Sequence, residues 1–133
     1  MMHGDEAVEV INTRPVVLID SQSTLRRAAQ LLAAESIGVA IVRGHHGPAL
    51  VSERDIVAAL AGGADPDRDR VDSIMNLDVA YASPHDTIRS VADLMLDNEI
   101  RHIPIVHDGA VIRVVSEREV LRALLADSDI GSA

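Results

Sequence analysis

A duplicated segment constrains the fold of this chain more than any other feature of its sequence. The run VSERDIV at residues 51–57 returns as VSEREVL at residues 115–121. Upstream of these runs the two copies are offset by 63 positions, as from Val8 to Val71. One extra residue is predicted before the second strand of the later copy, after which the offset is 64. An offset kept through a whole unit indicates an internal duplication.

Each copy is predicted to fold as β-α-β-β-α. In the first copy, apolar and mostly β-branched runs predict strands at residues 16–19, 39–42 and 49–51. Between the first two strands, Ser23 is expected to cap a helix. Four apolar residues at i, i+3, i+4 and i+7 define the inner face of that helix: Leu25, Ala28, Ala29 and Leu32. The predicted fold class is therefore α/β (α+β), with two units packed about a pseudo-twofold axis.

The sequence divides into two repeats with short flanking segments. Residues 1–7 have no apolar period and are expected to form a flexible tail, and residues 127–133 form a second tail. The repeats occupy residues 8–63 and 71–126. Between them lies a charged linker, residues 64–70, which follows a Gly-Gly helix stop.

Composition excludes several classes of function. Twenty-one acidic residues against twelve basic ones give a formal charge of -9, which repels nucleic acid and anionic membranes. The absence of cysteine excludes disulfides, thiolate metal sites and a cysteine nucleophile. No apolar run approaches the length of a membrane span, and the first residues lack a secretory pattern. A cytoplasmic protein without nucleic-acid or membrane partners is expected.

Two interpretations are open for the polar residues at the predicted strand-to-helix junctions. Ser52 with Asp55, and Ser116 with Glu119, have the spacing of a capping box, in which the hydroxyl and the acid satisfy each other's backbone N–H groups. The same junction could bind a ligand, because the first helical turn has unpaired N–H groups and a partial positive charge. Both interpretations can hold for one residue.

Arginines and histidines give weaker indications. Arg54 and Arg118 are predicted in a first helical turn, where a cation opposes the helix dipole. Their presence in both copies favours an anionic partner, although a solvated or ion-paired arginine explains it too. His45 and His46 are adjacent and point apart, and no third ligand has suitable spacing, so no metal site is expected.

These features together resemble a tandem pair of cystathionine beta-synthase (CBS) domains, from about residue 8 to residue 126. The resemblance rests on the order of the elements, on the VSERDIV motif and on the run RHIPIV at residues 101–106. It implies a small stand-alone bacterial module that binds AMP, ADP, ATP or S-adenosylmethionine in clefts between the repeats. The module would be regulatory, would need no obligatory cofactor and would form a homodimer. Which protein it regulates is unknown from the sequence.

The resemblance also implies the residues of the two clefts. In the first cleft, Asp55 would hold the ribose hydroxyls, with Ser52 and Arg54 near the phosphate. Five further residues would close this cleft: Asn76, Leu77, Ile100, Arg101 and Pro104.

The second cleft would be formed by Ser116, Arg118 and Glu119. Its partners would be Thr13, Ile37 and Val39. Glu119 stands where the family usually has Asp, and Ile41 stands where the second copy has Pro104. These departures predict unequal clefts and a weaker ribose contact at Glu119.

Two other functions compete with ligand sensing. A structural module that dimerises, with empty clefts, would also explain the capping boxes and the departures from the family pattern. An enzyme is not expected, because the sequence has no nucleophile–base pair, no metal-ligand cluster and no phosphate-binding GxxxxGK[ST] loop. No catalytic residue is therefore assigned.

Overall fold

The chain forms two compact units, one of which combines two segments that are distant in sequence. The computed structural model describes residues 3–44 and 47–132. The first unit is Val16–Val79, and the second unit combines Met1–Pro15 with Ala80–Ala133. Each unit contains one of the two polar strand-to-helix junctions.

The first unit has the predicted β-α-β-β-α order. Strand β1 (Leu18–Asp20) lies parallel to β2 (Val39–Arg43), and β3 (Leu50–Ser52) pairs antiparallel with β2. Helix α1 (Leu25–Glu35) connects β1 to β2, and α2 (Glu53–Ala61) begins at the residue after β3. Strand and helix adjoin without a loop, as the sequence predicted for this junction.

The second unit repeats this order, but its sheet has two strands instead of three. Its first strand is reduced to a single parallel bridge between Ala82 and Ile105. None of the helices among the described residues is long and apolar enough to cross a membrane. Four elements follow one another in this unit: α3 (Ile88–Asn98), β4 (His102–His107), β5 (Ala110–Ser116) and α4 (Glu117–Ser132). The mixed α+β fold class is thus confirmed.

Thr24 caps the start of helix α1, and the prediction that Ser23 caps it is wrong. The Thr24 hydroxyl accepts the Arg27 N–H at 3.2 Å. Ser23 lies one residue too early, and its carbonyl instead accepts the Val71 N–H at 2.8 Å. Thr87 caps α3 in the same way, so the offset of 63 positions extends to the caps.

The strand pairing shows that the extra residue of the later copy lies at a different position from the one predicted. Val39 pairs with Ser52, and His102 pairs with Ser116, so Val39 and His102 are equivalent at an offset of 63. The prediction that the extra residue precedes this strand is wrong. The register of the β4–β5 hairpin shifts after Ile105, which leaves a bulge in β5 opposite that point. A bulge accommodates one additional residue without ending the pairing.

The predicted linker and the predicted N-terminal tail have equivalent roles in the two units. The Asp69 carbonyl accepts the N–H of Leu25, the first residue of α1, at 3.1 Å. The Glu6 carbonyl accepts the N–H of Ile88, the first residue of α3, at 2.9 Å. Both pairs are related by 63 positions. Each segment therefore satisfies a backbone donor that a helix start leaves unpaired.

The segments that lead into each copy are exchanged between the units. Val8 and Ile11, which precede the first copy in sequence, are buried in the core of the second unit. Val71, which precedes the second copy, is buried in the core of the first. Each unit thus completes its apolar core with a segment that is distant in sequence.

The predicted inner face of α1 is largely confirmed. Leu25, Ala28 and Leu32 are buried, whereas Ala29 is exposed. Three core residues of α3 follow the same spacing: Ile88, Val91 and Met95.

An ion pair fastens the linker to α1 and gives a pH-dependent prediction. The Arg26 guanidinium donates to both carboxylate oxygens of Asp67, at 2.5 and 3.1 Å. This hydrogen bond lowers the pKa of Asp67 below its ordinary value. The pair therefore stabilises the fold above that ordinary value, and this contribution is lost as pH falls through the lowered pKa. In Arg26→Gln, a carboxyl NMR titration should find the Asp67 pKa raised. An unchanged pKa would contradict the pairing in solution.

Candidate anion-binding site

The first strand-to-helix junction is a complete capping box, as one of the two sequence interpretations predicted. The Asp55 N–H donates to the Ser52 hydroxyl at 3.1 Å. Oxygen Oδ2 of Asp55 in turn accepts the Ser52 N–H at 2.8 Å and the Ser52 hydroxyl at 2.9 Å. One carboxylate oxygen thus satisfies both donors of Ser52. These bonds fix the start of α2 immediately after β3.

The second junction is a capping box with fewer bonds. The Glu119 N–H donates to the Ser116 hydroxyl at 3.1 Å, and Oε1 of Glu119 accepts the Ser116 N–H at 2.9 Å. Within the part of the chain that the structure describes, the Ser116 hydroxyl donates to no acceptor. A serine hydroxyl carries one donor and two acceptor lone pairs, so this one retains a hydrogen-bond donor for another molecule.

A cavity of about 310 Å³ opens at the second junction. It lies within the second unit, where the end of α3 leads into β4 and where β5 meets α4. Six residues line it: Arg101, His102, Ser116, Glu117, Arg118 and Leu121. Three of these can be cationic and one is anionic. The start of α4 adds the positive end of a helix dipole to the same place.

The two arginines of the cavity are available for hydrogen bonds. Arg101 and Arg118 are exposed, and the nearest carboxylate to Arg101 is that of Glu117 at 3.9 Å. An exposed ion pair of that length is weak and leaves the guanidinium available to another anion. Both arginines can therefore donate to a bound phosphate, for which their planar guanidinium groups are suited.

The first unit lacks most of this charge. Strand pairing makes Gly38 and Val39 the equivalents of Arg101 and His102. The backbone confirms the correspondence, because the first N–H of α2 donates to the Gly38 carbonyl and the first N–H of α4 donates to the Arg101 carbonyl. Among the first-unit residues equivalent to the lining of that cavity, only Arg54 carries a positive charge. The two junctions therefore differ in the charges around their motifs.

The structure brings some predicted site residues together within one unit. Arg101, assigned by resemblance to the cleft of Asp55, lines a cavity with Ser116 and Arg118. Asn76 lies with the first junction, since its backbone exchanges hydrogen bonds with Leu50 at 2.7 and 3.1 Å. The first junction thus keeps Asn76, and the second junction holds Arg101.

The remaining predicted residues differ in exposure. Leu77 is exposed, whereas Val39 and Pro104 are buried within strands β2 and β4. Three others are half-buried: Thr13, Ile37 and Ile100. A buried side chain shapes the backbone beneath a site but does not offer a surface to a ligand. Among these residues only Leu77 presents its side chain fully to solvent.

A second cavity adjoins the acid of the second junction. It has a volume of about 430 Å³ and lies between the N-terminal segment and α4. Glu119 lines it together with Ile11 and Asn12 on one side and Arg122 on the other. Glu119 therefore connects the capping box of α4 to the segment that contains Thr13.

Three residues that line the cavity at the second junction were not among the predicted site residues: His102, Glu117 and Leu121. The signal for His102 was its position beside Arg101 at the start of a strand, which could equally be a polar strand end. His45 and His46 fall outside the described residues. Within those residues, no three His, Cys, Asp or Glu side chains are grouped to hold a metal ion.

A duplicated α+β unit with a Ser-X-X-acid capping box at each strand-to-helix junction defines a tandem-repeat module. The sequence profile of the CBS domain matches residues 7–62 and 71–126. The chain belongs to the CBS domain family and carries two copies of the domain, which confirms the resemblance.

Known proteins resemble this chain in sequence and in structure. An uncharacterized 17.7 kDa protein of Acidianus ambivalens is 32% identical over 121 residues, which are 89% of this chain and 73% of that protein. A CBS domain protein from Pyrobaculum aerophilum, complexed with AMP, is 30% identical with a TM-score of 0.79 and covers 96% of this chain and 99% of its own. A protein of Methanocaldococcus jannaschii is 23% identical over 125 residues, and the chain spans 44% of its length.

Proposed function

We propose that this chain is a regulatory module that binds an adenine nucleotide, with the phosphate held in the cavity at the second junction. The observation that carries the proposal is the convergence of Arg101, His102 and Arg118 with the donor hydroxyl of Ser116 at the start of α4. Charge-assisted hydrogen bonds of this kind are the strong ones in proteins. The ribose hydroxyls would lie against Glu119, the acid of the same motif.

Two further facts support an adenine nucleotide. The Pyrobaculum aerophilum relative, at 30% identity, is complexed with AMP. The overall charge of -9 repels anions from most of the surface, so a phosphate would be attracted only where cations are concentrated. S-adenosylmethionine fits this cavity less well, because its sulfonium and amino groups are cationic. We therefore expect AMP, ADP or ATP to bind more tightly than S-adenosylmethionine.

Binding would regulate by shifting a population of conformations. A ligand changes an equilibrium only through different affinities for its two states. Glu119 offers such a connection, because it caps α4 beside the anion-binding cavity and also lines the cavity that contains Ile11 and Asn12. A nucleotide that moves Glu119 would alter the contacts of the N-terminal segment.

Isothermal titration of the purified chain with AMP, ADP, ATP and S-adenosylmethionine tests the proposal. Saturable binding of at least one nucleotide, tighter than that of S-adenosylmethionine, is the expected result. Hydrogen exchange of the N-terminal segment should change when the nucleotide is bound. No heat with any of the four ligands would refute nucleotide binding and favour a structural role.

Glu117→Gln should strengthen nucleotide binding. The Glu117 carboxylate lies 3.9 Å from the Arg101 guanidinium and lines the same cavity, where it repels a phosphate. Neutralising an exposed charge of this kind is worth about 0.2–1 kcal/mol, or up to about fivefold in Kd for AMP. Glu53→Gln is the matched control, because Glu53 is the first residue of α2 and should leave AMP binding unchanged. Weaker AMP binding in Glu117→Gln would contradict this prediction and would mean that the Glu117 carboxylate contributes to binding AMP.

Self-association is the second candidate function, and exposed apolar side chains favour it. Leu121 and Leu125 lie one turn apart on α4 and are 50% and 60% exposed. On α2, Val57 is 65% exposed at the position equivalent to Leu121. Exposed apolar patches on soluble proteins commonly mark interaction sites, and we propose a second copy of this chain as the occupant. Light scattering should find a homodimer that Leu125→Glu converts to a monomer, whereas a monomeric parent would refute it.

A further inference from the structure

The two serines of the capping boxes differ in the state of their hydroxyl groups. The Ser52 hydroxyl donates to Oδ2 of Asp55 at 2.9 Å. The Ser116 hydroxyl accepts the Glu119 N–H at 3.1 Å but donates to no acceptor among the residues that the structure describes. Both serines hold the same position in their repeats, and both still cap a helix. The difference lies in whether the acid of the motif accepts the serine hydroxyl as well as the serine N–H.

The length of the acidic side chain explains this difference. In Asp55 the carboxylate is close to its own backbone, so Oδ2 accepts the N–H and the hydroxyl of Ser52 together. In Glu119 one more methylene group separates the carboxylate from the backbone, and Oε1 reaches only the Ser116 N–H, at 2.9 Å. A hydroxyl that already donates to a carboxylate must break a charge-assisted bond before it can donate to a phosphate.

We propose that Glu119 is a positioning residue that keeps the Ser116 hydroxyl free to donate to the phosphate, and that this selects the second junction as the phosphate site. The inference rests on the proposed function and refines it. It also reverses the sequence expectation, in which Glu in place of Asp impairs the second site. Arg101 and His102 occur at the same junction and have the uncharged residues Gly38 and Val39 as counterparts. Donor hydroxyl and cations are thus concentrated in one unit.

Glu119→Asp tests the role of the side-chain length. The variant keeps the charge and the capping box, as Ser52 with Asp55 does in the first unit, so it should fold. We expect the Ser116 hydroxyl of this variant to donate a hydrogen bond to the shorter carboxylate, as the Ser52 hydroxyl does to Asp55. Titration with AMP and with adenosine, which lacks the phosphate, should give an AMP-to-adenosine affinity ratio about tenfold lower than in the parent, equivalent to about 1.4 kcal/mol. A variant that merely perturbed the fold would weaken both ligands alike and leave the ratio unchanged.

Ser116→Ala, alone and combined with Glu119→Asp, completes a double-mutant cycle. Removing the hydroxyl should lower the same affinity ratio, and adding Glu119→Asp to it should then have no further effect. Independent, additive losses would overturn the inference, as would an unchanged ratio in Glu119→Asp while AMP still binds the parent. Failure of AMP to bind the parent at all would overturn the proposed function, and the inference with it.

Discussion

Leu32→Ala should lower the free energy of unfolding by about 2–5 kcal/mol. Leu32 is 2% exposed and lies in the core of the first unit, on the face of α1 that Ala28 shares. Truncation removes apolar surface from the core and leaves a cavity that its neighbours fill only in part. Urea denaturation followed by far-UV circular dichroism measures the change in midpoint and slope.

Leu96→Ala is the matched control for this loss of stability. Leu96 lies near the end of α3, the counterpart of α1, and is 76% exposed. The same chemical change there should alter the free energy of unfolding by no more than about 0.5 kcal/mol. Equal effects at both positions would mean that the buried face of α1 is not a packed core.

Replacing Arg101 and Arg118 together by alanine should weaken AMP binding by at least about a hundredfold, or about 2.8 kcal/mol. Both guanidinium groups line the proposed phosphate cavity, and hydrogen bonds to charged groups contribute about 1.5–3 kcal/mol each. Binding of adenosine should change much less, because adenosine carries no phosphate. Calorimetric titration of both ligands measures the two effects separately.

A double variant of two other arginines controls for the change in net charge. Arg27 and Arg89 are exposed residues in the first turns of α1 and α3. Their replacement by alanine removes the same total charge, and neither residue lines the proposed site. We expect AMP affinity to stay within about threefold of the parent, or about 0.65 kcal/mol. Equal losses in both double variants would indicate long-range attraction instead of a local phosphate site.

The capping boxes were predictable from the sequence because their bonds are local. Ser52 and Asp55 are three residues apart, and the bonds between them depend only on the geometry of one helical turn. The same holds for the buried face of α1, where spacing alone placed Leu25 and Leu32 in the core. Even here the sequence placed the cap of α1 one residue early, at Ser23 instead of Thr24. Two adjacent hydroxyl residues can each cap, and the pairing of Ser23 with Val71 decided between them.

The position of the extra residue could not be read from the sequence. An offset of 64 from the second strand onward would align Ile41 with Ile105. The strand pairing instead makes Ile41 equivalent to Pro104 and places the extra residue at a bulge in β5. This choice determines which residue of the first unit corresponds to His102. Only with the pairing known is it clear that the first junction has no counterpart to the charge of Arg101.

The sequence by itself determined the duplication, the α+β class and the two Ser-X-X-acid junctions, because each depends on residues that are close along the chain or repeat at a fixed offset. The tertiary structure decided that the segments containing Val8 and Val71 are exchanged between the units. It also placed Arg101 beside Ser116 and left that serine's hydroxyl free to donate. The exchange and the position of Arg101 depend on contacts between residues that are distant in sequence, which no local pattern encodes. The state of the Ser116 hydroxyl depends on side-chain geometry that only the structure gives.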